Sequence, residues 1–242
     1  MSSKTTETLD ILLQQQHFCS FTLVPYKYLV SYNGVICVVY RQWDVNALTI
    51  KHYINQYANN QQLSDENSGS KFPKTTVACL HDHQQLTIDQ LNRLRSICIK
   101  YNIALHDLSQ HIHINQIDVV TMLNRSLTRI LHKSTVNLSD VSHTAQSMSD
   151  NAEYVESVLN EFYCGDINEY IDKVNGSNGR YSHYMNTHIE TTCIAPLIQH
   201  NSAVQHLLSV IYRLSDEVNQ HLPGMYHFID PHVLHVTLRA IS

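Results

Sequence analysis

A chain of 242 residues, with 43% hydrophobic and only 15% charged residues, can bury one large core or two smaller ones. Its net charge of −5 excludes a broad basic surface for nucleic acid or anionic membrane, though not a local basic pocket. The 17 histidines make the charge rise steeply as pH falls through about 6.5. Six cysteines lie mostly inside apolar runs with no Cys-x-x-Cys spacing, so they read as small buried hydrophobes, not a disulfide frame or zinc site. The first residues lack an apolar signal segment, and no uninterrupted run of about 18 apolar residues follows. The expectation is a cytoplasmic protein with no membrane partner.

In chain order, Thr8–Gln16 predicts a short helix with Leu9, Ile11, Leu12 and Leu13 on or near one face. Ser20–Val24 is extended, and Lys27–Tyr32 and Val35–Arg41 flank Asn33-Gly34, a hairpin signal for a type I′ turn. Asp44 caps a helix running through Tyr57. Asn59–Ser70 is a polar loop, and Lys74–Leu80 is the next strand. Thr87 caps a helix carrying Ile88, Leu91, Leu94, Arg95 and Cys98, with Asn102–Leu105 a strand after it. Ile117–Leu131 has the spacing of an amphipathic helix, and Ile130–Leu138 alternates like a short strand.

Ser139–Asn151 is rich in Ser, Asp and Asn and marks a boundary. Helices follow over Asn151–Tyr163 and Ile167–Val174, with a turn at Asn175–Gly179. After the extended His188–Leu197 comes a helix over Ser202–Leu222, where Val204, Leu207, Leu208, Ile211, Leu214 and Val218 form one stripe and Pro223-Gly224 ends it. The fold class is therefore α/β (α+β). Residues 1–138 form an N-terminal α/β unit with a hairpin, 139–150 a linker, and 151–242 a second, partial unit.

The last strand carries the chemistry. Leu234, Val236, Leu238 and Ala240 share one side of it, and His235, Thr237 and Arg239 share the other at steps of roughly 6–7 Å. An imidazole moves protons, while a hydroxyl and a guanidinium donate to phosphate oxygens. Elsewhere, His81-Asp82-His83 follows a strand but lacks the spacing of a metal site, and His111-x-His113 leads towards the Ile117 helix. No glycine-rich phosphate loop and no Gly-x-Ser-x-Gly occurs.

The run Val233-Leu234-His235-Val236-Thr237-Leu238-Arg239 resembles the first signature of the two-histidine (2H) phosphoesterases, which include RNA 2′,5′-ligase-like proteins and cyclic phosphodiesterases. Its approach is similar too: extended Thr191–Leu197, a helix, then Met225–Ile229. The resemblance covers about the last 75 residues and implies a phosphodiesterase with neither metal nor cofactor, acting on cyclic or 2′,5′-linked nucleotide or RNA-end phosphodiesters. It implies His235 as a catalytic acid/base and Thr237 as its phosphate-holding partner. Arg239 as a further phosphate contact follows from the shared strand side alone.

The family uses two such motifs, and the one internal match is His132-Lys133-Ser134. Three completions stand. The chain is a fragment or degenerate product with a half-built site, or an N-terminal lobe brings His132 and Ser134 opposite His235, or a second chain completes the groove. An incomplete sheet leaves edge groups that favour self-association. The alternative function is a non-catalytic α/β binding or interaction protein with a degenerate phosphoesterase lobe.

Overall fold

The computed structural model describes residue 9 and residues 11–61, 72–106, 111–140, 151–177, 180–198 and 200–241. Their strands are β1 (Phe21–Leu23), β2 (Pro25–Val30), β3 (Ile36–Tyr40), β4 (Lys74–Leu80), β5 (Ile112–Ile114), β6 (Gln116–Met122), β7 (Ile130–Asn137), β8 (Glu190–Pro196), β9 (Tyr226–Phe228) and β10 (His235–Ala240). The helices are α1 (Val45–Asn60), α2 (Ile88–His106), α3 (Asn151–Cys164), α4 (Ile167–Gly176), α5 (Tyr181–Met185) and α6 (Ser202–His221). The class is mixed α and β, as expected. Two four-stranded antiparallel sheets run in the orders β2-β3-β4-β9 and β10-β8-β6-β7, and β1 pairs with β5.

Local chemistry sets many of these boundaries. Asp44 Oδ1 accepts from Asn46 N at 2.8 Å and so caps α1, while Asp44 Oδ2 accepts from Thr22 N at 3.2 Å and ties the cap to β1. Thr87 and Gln90 form a reciprocal capping box at the start of α2. Asn201 caps α6 by accepting from Ala203 N at 2.9 Å. Beyond α6, Gly224 takes φ 70°, where a Cβ would strain the backbone. The β2–β3 hairpin forms, but with a longer loop than a type I′ turn. Ser31 N donates to Val35 O at 2.9 Å, and Gly34 alone takes the positive φ.

Two predicted elements exchange type. Asn102–Leu105 continues α2, where Asn102 Oδ1 accepts from the Tyr28 backbone N–H at 2.7 Å. The predicted helix at Ile117–Leu131 is instead β6, a turn and the start of β7. β6 lies between β7 and β8, so Ile117, Asp118, Val119 and Val120 are all buried, and an unbroken apolar run lost its two-residue alternation. The turn contains neither Gly nor Pro. It closes through Leu123 N to Arg129 O at 2.8 Å, with Leu127 at φ 58°. His111-x-His113 therefore enters strand β5 rather than a helix.

The boundary expected at 139–150 divides neither sheet from the other. β9, from the second half, completes the sheet of β2, β3 and β4, while β6 and β7, from the first half, extend the sheet of β8 and β10. Residues 141–150, and most of the expected loop at 59–70, lie outside the described residues. One apolar cluster runs from Leu9 to Ile241 and includes the buried stripes of α1, α2 and α6. Within it the expected α6 stripe, Val204 through Val218, is buried.

The two sheets also share a plan. In each, a central strand leads into a side-chain-capped helix, and the chain returns as an antiparallel neighbour of that strand: β3–α1–β4 directly, and β8–α6–β10 after β9 has crossed to the other sheet. Each central strand has a second antiparallel neighbour, β2 or β6. The returning strands, β4 and β10, lie against one another where the sheets meet.

Because each sheet draws strands from both halves, separately expressed 1–138 and 151–242 should each lack cooperative unfolding and gain it on mixing. Urea titration followed by circular dichroism measures this. A cooperative transition in isolated 151–242 would contradict the interleaved topology.

Candidate functional site

Residues directly opposite in an antiparallel pair share one side of the sheet. On β10, His235 faces Pro196 and Thr237 faces Ile194. The next pairing is Arg239 with Cys193, so Leu238 is an extra residue and the strand carries a β-bulge. Two successive side chains, Leu238 and Arg239, consequently turn to the core side with Val236. His235 and Thr237 stay together, half-buried, on the opposite side.

Arg239 therefore does not share their side of the sheet, because the bulge rotates it by one strand position. It is 2% exposed, and its Nε donates to Asn55 Oδ1 at 2.7 Å, on α1. One turn earlier on α1, the Lys51 ammonium donates to the Leu238 carbonyl at 2.5 Å. Lys51 is itself 5% exposed and stands over the Trp43 ring. A carbonyl displaced from the regular ladder thus meets a buried cation.

His235 Nδ1 lies 2.8 Å from the Val233 carbonyl. A carbonyl only accepts, so Nδ1 carries the proton and Nε2 keeps a lone pair. Burial pulls the imidazole pKa below its ordinary value, and the Val233 bond opposes that only in part. The ring is therefore neutral at neutral pH, in the tautomer a general base requires.

The internal match does not stand opposite. His132 and Ser134 lie on β7, at the other edge of the same sheet, three strand spacings or about 14 Å from β10. They also share the side of Thr121, Val119 and Cys193, which is the Arg239 side and not the His235 side. His132 is exposed, and Ser134 Oγ accepts from Gln14 Nε2 at 3.3 Å.

What corresponds to β10 is β4. Thr76 faces Cys37, the next pairing is Ala78 with Ile36, and Val77 is the extra residue. The bulge falls immediately after the threonine in both strands, so Lys74-Thr75-Thr76 matches His235-Val236-Thr237 position for position. Burial repeats as well: Thr75 and Val77 are buried like Val236 and Leu238, while Lys74 and Thr76 are half-buried like His235 and Thr237. Sequence reasoning missed this pair, because the signal is a polar-x-Thr triplet without the histidine.

Helix α5 touches both sheets on the side away from the shared core. Tyr184 Oη is 3.3 Å from Thr76 Oγ1, and the Tyr184 carbonyl accepts from Ser126 N at 3.0 Å in the β6–β7 turn. Beside it Arg125 Nε donates to Glu190 Oε2 at 2.7 Å. Glu190 has the parity of Ile194 on β8, hence the His235 side. Burial holds the Tyr184 phenol far above its ordinary pKa, so it remains protonated. On the same wall Asp118, 1% exposed, is balanced by Lys133 Nζ at 2.8 Å and the Thr135 hydroxyl at 2.7 Å. Over β2 and β3, Val155 and Leu159 of α3 cover Leu29 and Val39.

The His81-Asp82-His83 segment is a structural lock. Arg180 donates to the carbonyls of Asp82, Gln84 and Val174, Asp82 accepts from Ser182 N at 3.0 Å, and His81 stacks on Tyr181 with centroids 4.9 Å apart. Among the described residues no three His, Cys, Asp or Glu side chains converge as metal ligands. Nor is any described helix long and apolar enough to cross a membrane. Set against protein-family models, curated proteins and solved structures, the chain matches none of them.

Two outcomes are expected. In histidine NMR the His235 titration midpoint falls below 6.5, with Nδ1 protonated above it; a midpoint above 6.5 would contradict the buried neutral ring. The unfolded chain then binds the extra proton first. This part of the stability is complete above about 6.5 and is lost as pH falls from there through the folded pKa. Separately, Lys51→Met should cost about 1–3 kcal/mol by leaving the Leu238 carbonyl without its donor, measured as a lowered urea midpoint at unchanged slope.

Proposed function

We propose that the groove is a phosphodiester site of the two-histidine kind. The protein is then phosphodiesterase-like, metal-independent, and directed to cyclic or 2′,5′-linked nucleotide or RNA-end phosphodiesters. The observation that carries this is the His235–Thr237 pair, a neutral imidazole with a basic Nε2 beside a hydroxyl on one half-buried row. The resemblance of residues 233–239 to the family signature and the repeated strand–helix–strand plan support it.

In this reading, Nε2 removes the proton of an attacking hydroxyl or water while Thr237 donates to a phosphoryl oxygen. No metal or organic cofactor is assigned, since acid–base chemistry and donors to the oxyanion suffice for the step. The second reading, a binding protein without turnover, draws on one observation. The position matching His235 in β4 holds a lysine, so the groove has one imidazole where the family pattern has two. A partner that adds to the sheet would meet edge strand β7, where Ile130 and Leu131 are exposed, and sedimentation at rising concentration tests self-association there.

The discriminating assay uses 2′,3′-cyclic and 2′,5′-linked substrates. Turnover should persist in EDTA and fall about 10²–10⁴-fold in His235→Ala, with His132→Ala unchanged. Loss of turnover on chelation, or indifference to His235→Ala, would overturn the assignment. Ligand binding without turnover would favour the second reading.

A further inference from the structure

We propose that Lys74 and Thr76 are the second phosphate-holding arm of the groove, with the Lys74 ammonium standing where the matching strand carries an imidazole. This rests on the phosphodiester reading above and deepens it.

The inference follows from register. Each strand places a polar residue, a buried residue and a threonine immediately before a bulge, and each is the returning strand of a strand–helix–strand unit. The bulge matters because it fixes phase. Past it, Val77 and Ala78 turn to the core as Leu238 and Arg239 do, leaving the polar pair behind on the groove side. β4 and β10 lie against each other, and α5 touches both Thr76 and the β6–β7 turn. Both pairs therefore lie on the side of their sheets away from the shared core, on strands that touch.

Lys74 Nζ sits 4.7 Å from the Phe72 ring centroid, and among the described residues no carboxylate lies within ion-pair distance of it. An ammonium over an aromatic face retains donors for an incoming oxyanion. Thr76 Oγ1 lies 3.3 Å from Tyr184 Oη.

A lysine and a histidine do different work at this position. An ammonium attracts phosphate as a compact point charge, whereas an imidazole exchanges protons in the neutral range. Hydrolysis of a 2′,3′-cyclic phosphate forms one P–O bond to water and breaks one to a ribose oxygen. Water's proton goes to His235 Nε2, and the ribose oxygen takes its proton from solvent. A histidine at position 74 would supply that proton from its imidazolium. The groove as it stands is thus built to hold a nucleotide phosphoester more firmly than to turn it over.

The test is calorimetry with adenosine 2′-monophosphate, alongside hydrolysis of adenosine 2′,3′-cyclic monophosphate by the full chain. Lys74→Met should weaken binding at least about tenfold, and Lys74→Arg should retain it. Lys74→His should raise hydrolysis by about 10–10²-fold. An unchanged circular dichroism spectrum and urea midpoint in each variant show that the fold is intact. If Lys74→Met and Lys74→His leave binding and hydrolysis unchanged while His235→Ala abolishes turnover, the second arm is wrong and the phosphodiester reading stands. If the wild-type chain neither binds nor hydrolyses either nucleotide, both fall.

Discussion

The structure turns on one extra residue, the bulge at Leu238 in β10. Regular pairing would have put Arg239 beside Thr237. The inserted residue sends Leu238 and Arg239 to the core together and displaces the Leu238 carbonyl from the ladder. A buried carbonyl and a buried guanidinium are costly unless bonded, and both partners come from one turn of α1, Lys51 and Asn55. Since α1 belongs to the β3–α1–β4 unit, the polar cross-tie joins one sheet's helix to the other sheet's edge strand. Hydrogen bonds to charged groups contribute about 1.5–3 kcal/mol each, enough to hold β10 against β4 with its two groove residues aimed outward.

The same device occurs in β4, at the same point after the threonine, with different chemistry before it. The construction is symmetric and the site is not. Burial keeps His235 neutral and available as a base. The corresponding place in β4 holds a lysine, a point charge on a flexible stem. The two strands thus repeat one construction with a histidine in one and a lysine in the other.

Around this groove the chain is interleaved. β9 crosses to the sheet of β4, β6 and β7 join that of β8, and α5 touches both through the Tyr184 hydroxyl at Thr76 and the Tyr184 carbonyl at Ser126. The apolar cluster on the helix side is continuous, so neither sheet has a core of its own. The groove side is left to smaller clusters, Leu29–Val39 under α3 and Val120–Met122–Ile194 near the β6–β7 turn.

Local rules in the sequence determined the elements whose signals are local. The caps at Asp44 and Thr87, the stripe of α6, the turn glycines and the His235–Thr237 alternation all follow from nearest-neighbour geometry. Tertiary structure decided what depends on partners distant in sequence. β6 passes for a helix because both of its sides are covered, which erases the two-residue alternation. Arg239 passes for a groove residue because a bulge is set by register against Cys193, 46 positions away, and leaves no mark in the local pattern. Lys74 and Thr76 went unnoticed because their correspondence to His235 and Thr237 lies in pairing and phase, not in residue type. The chemistry of a strand is written locally, but the side it faces is settled by what lies beside it.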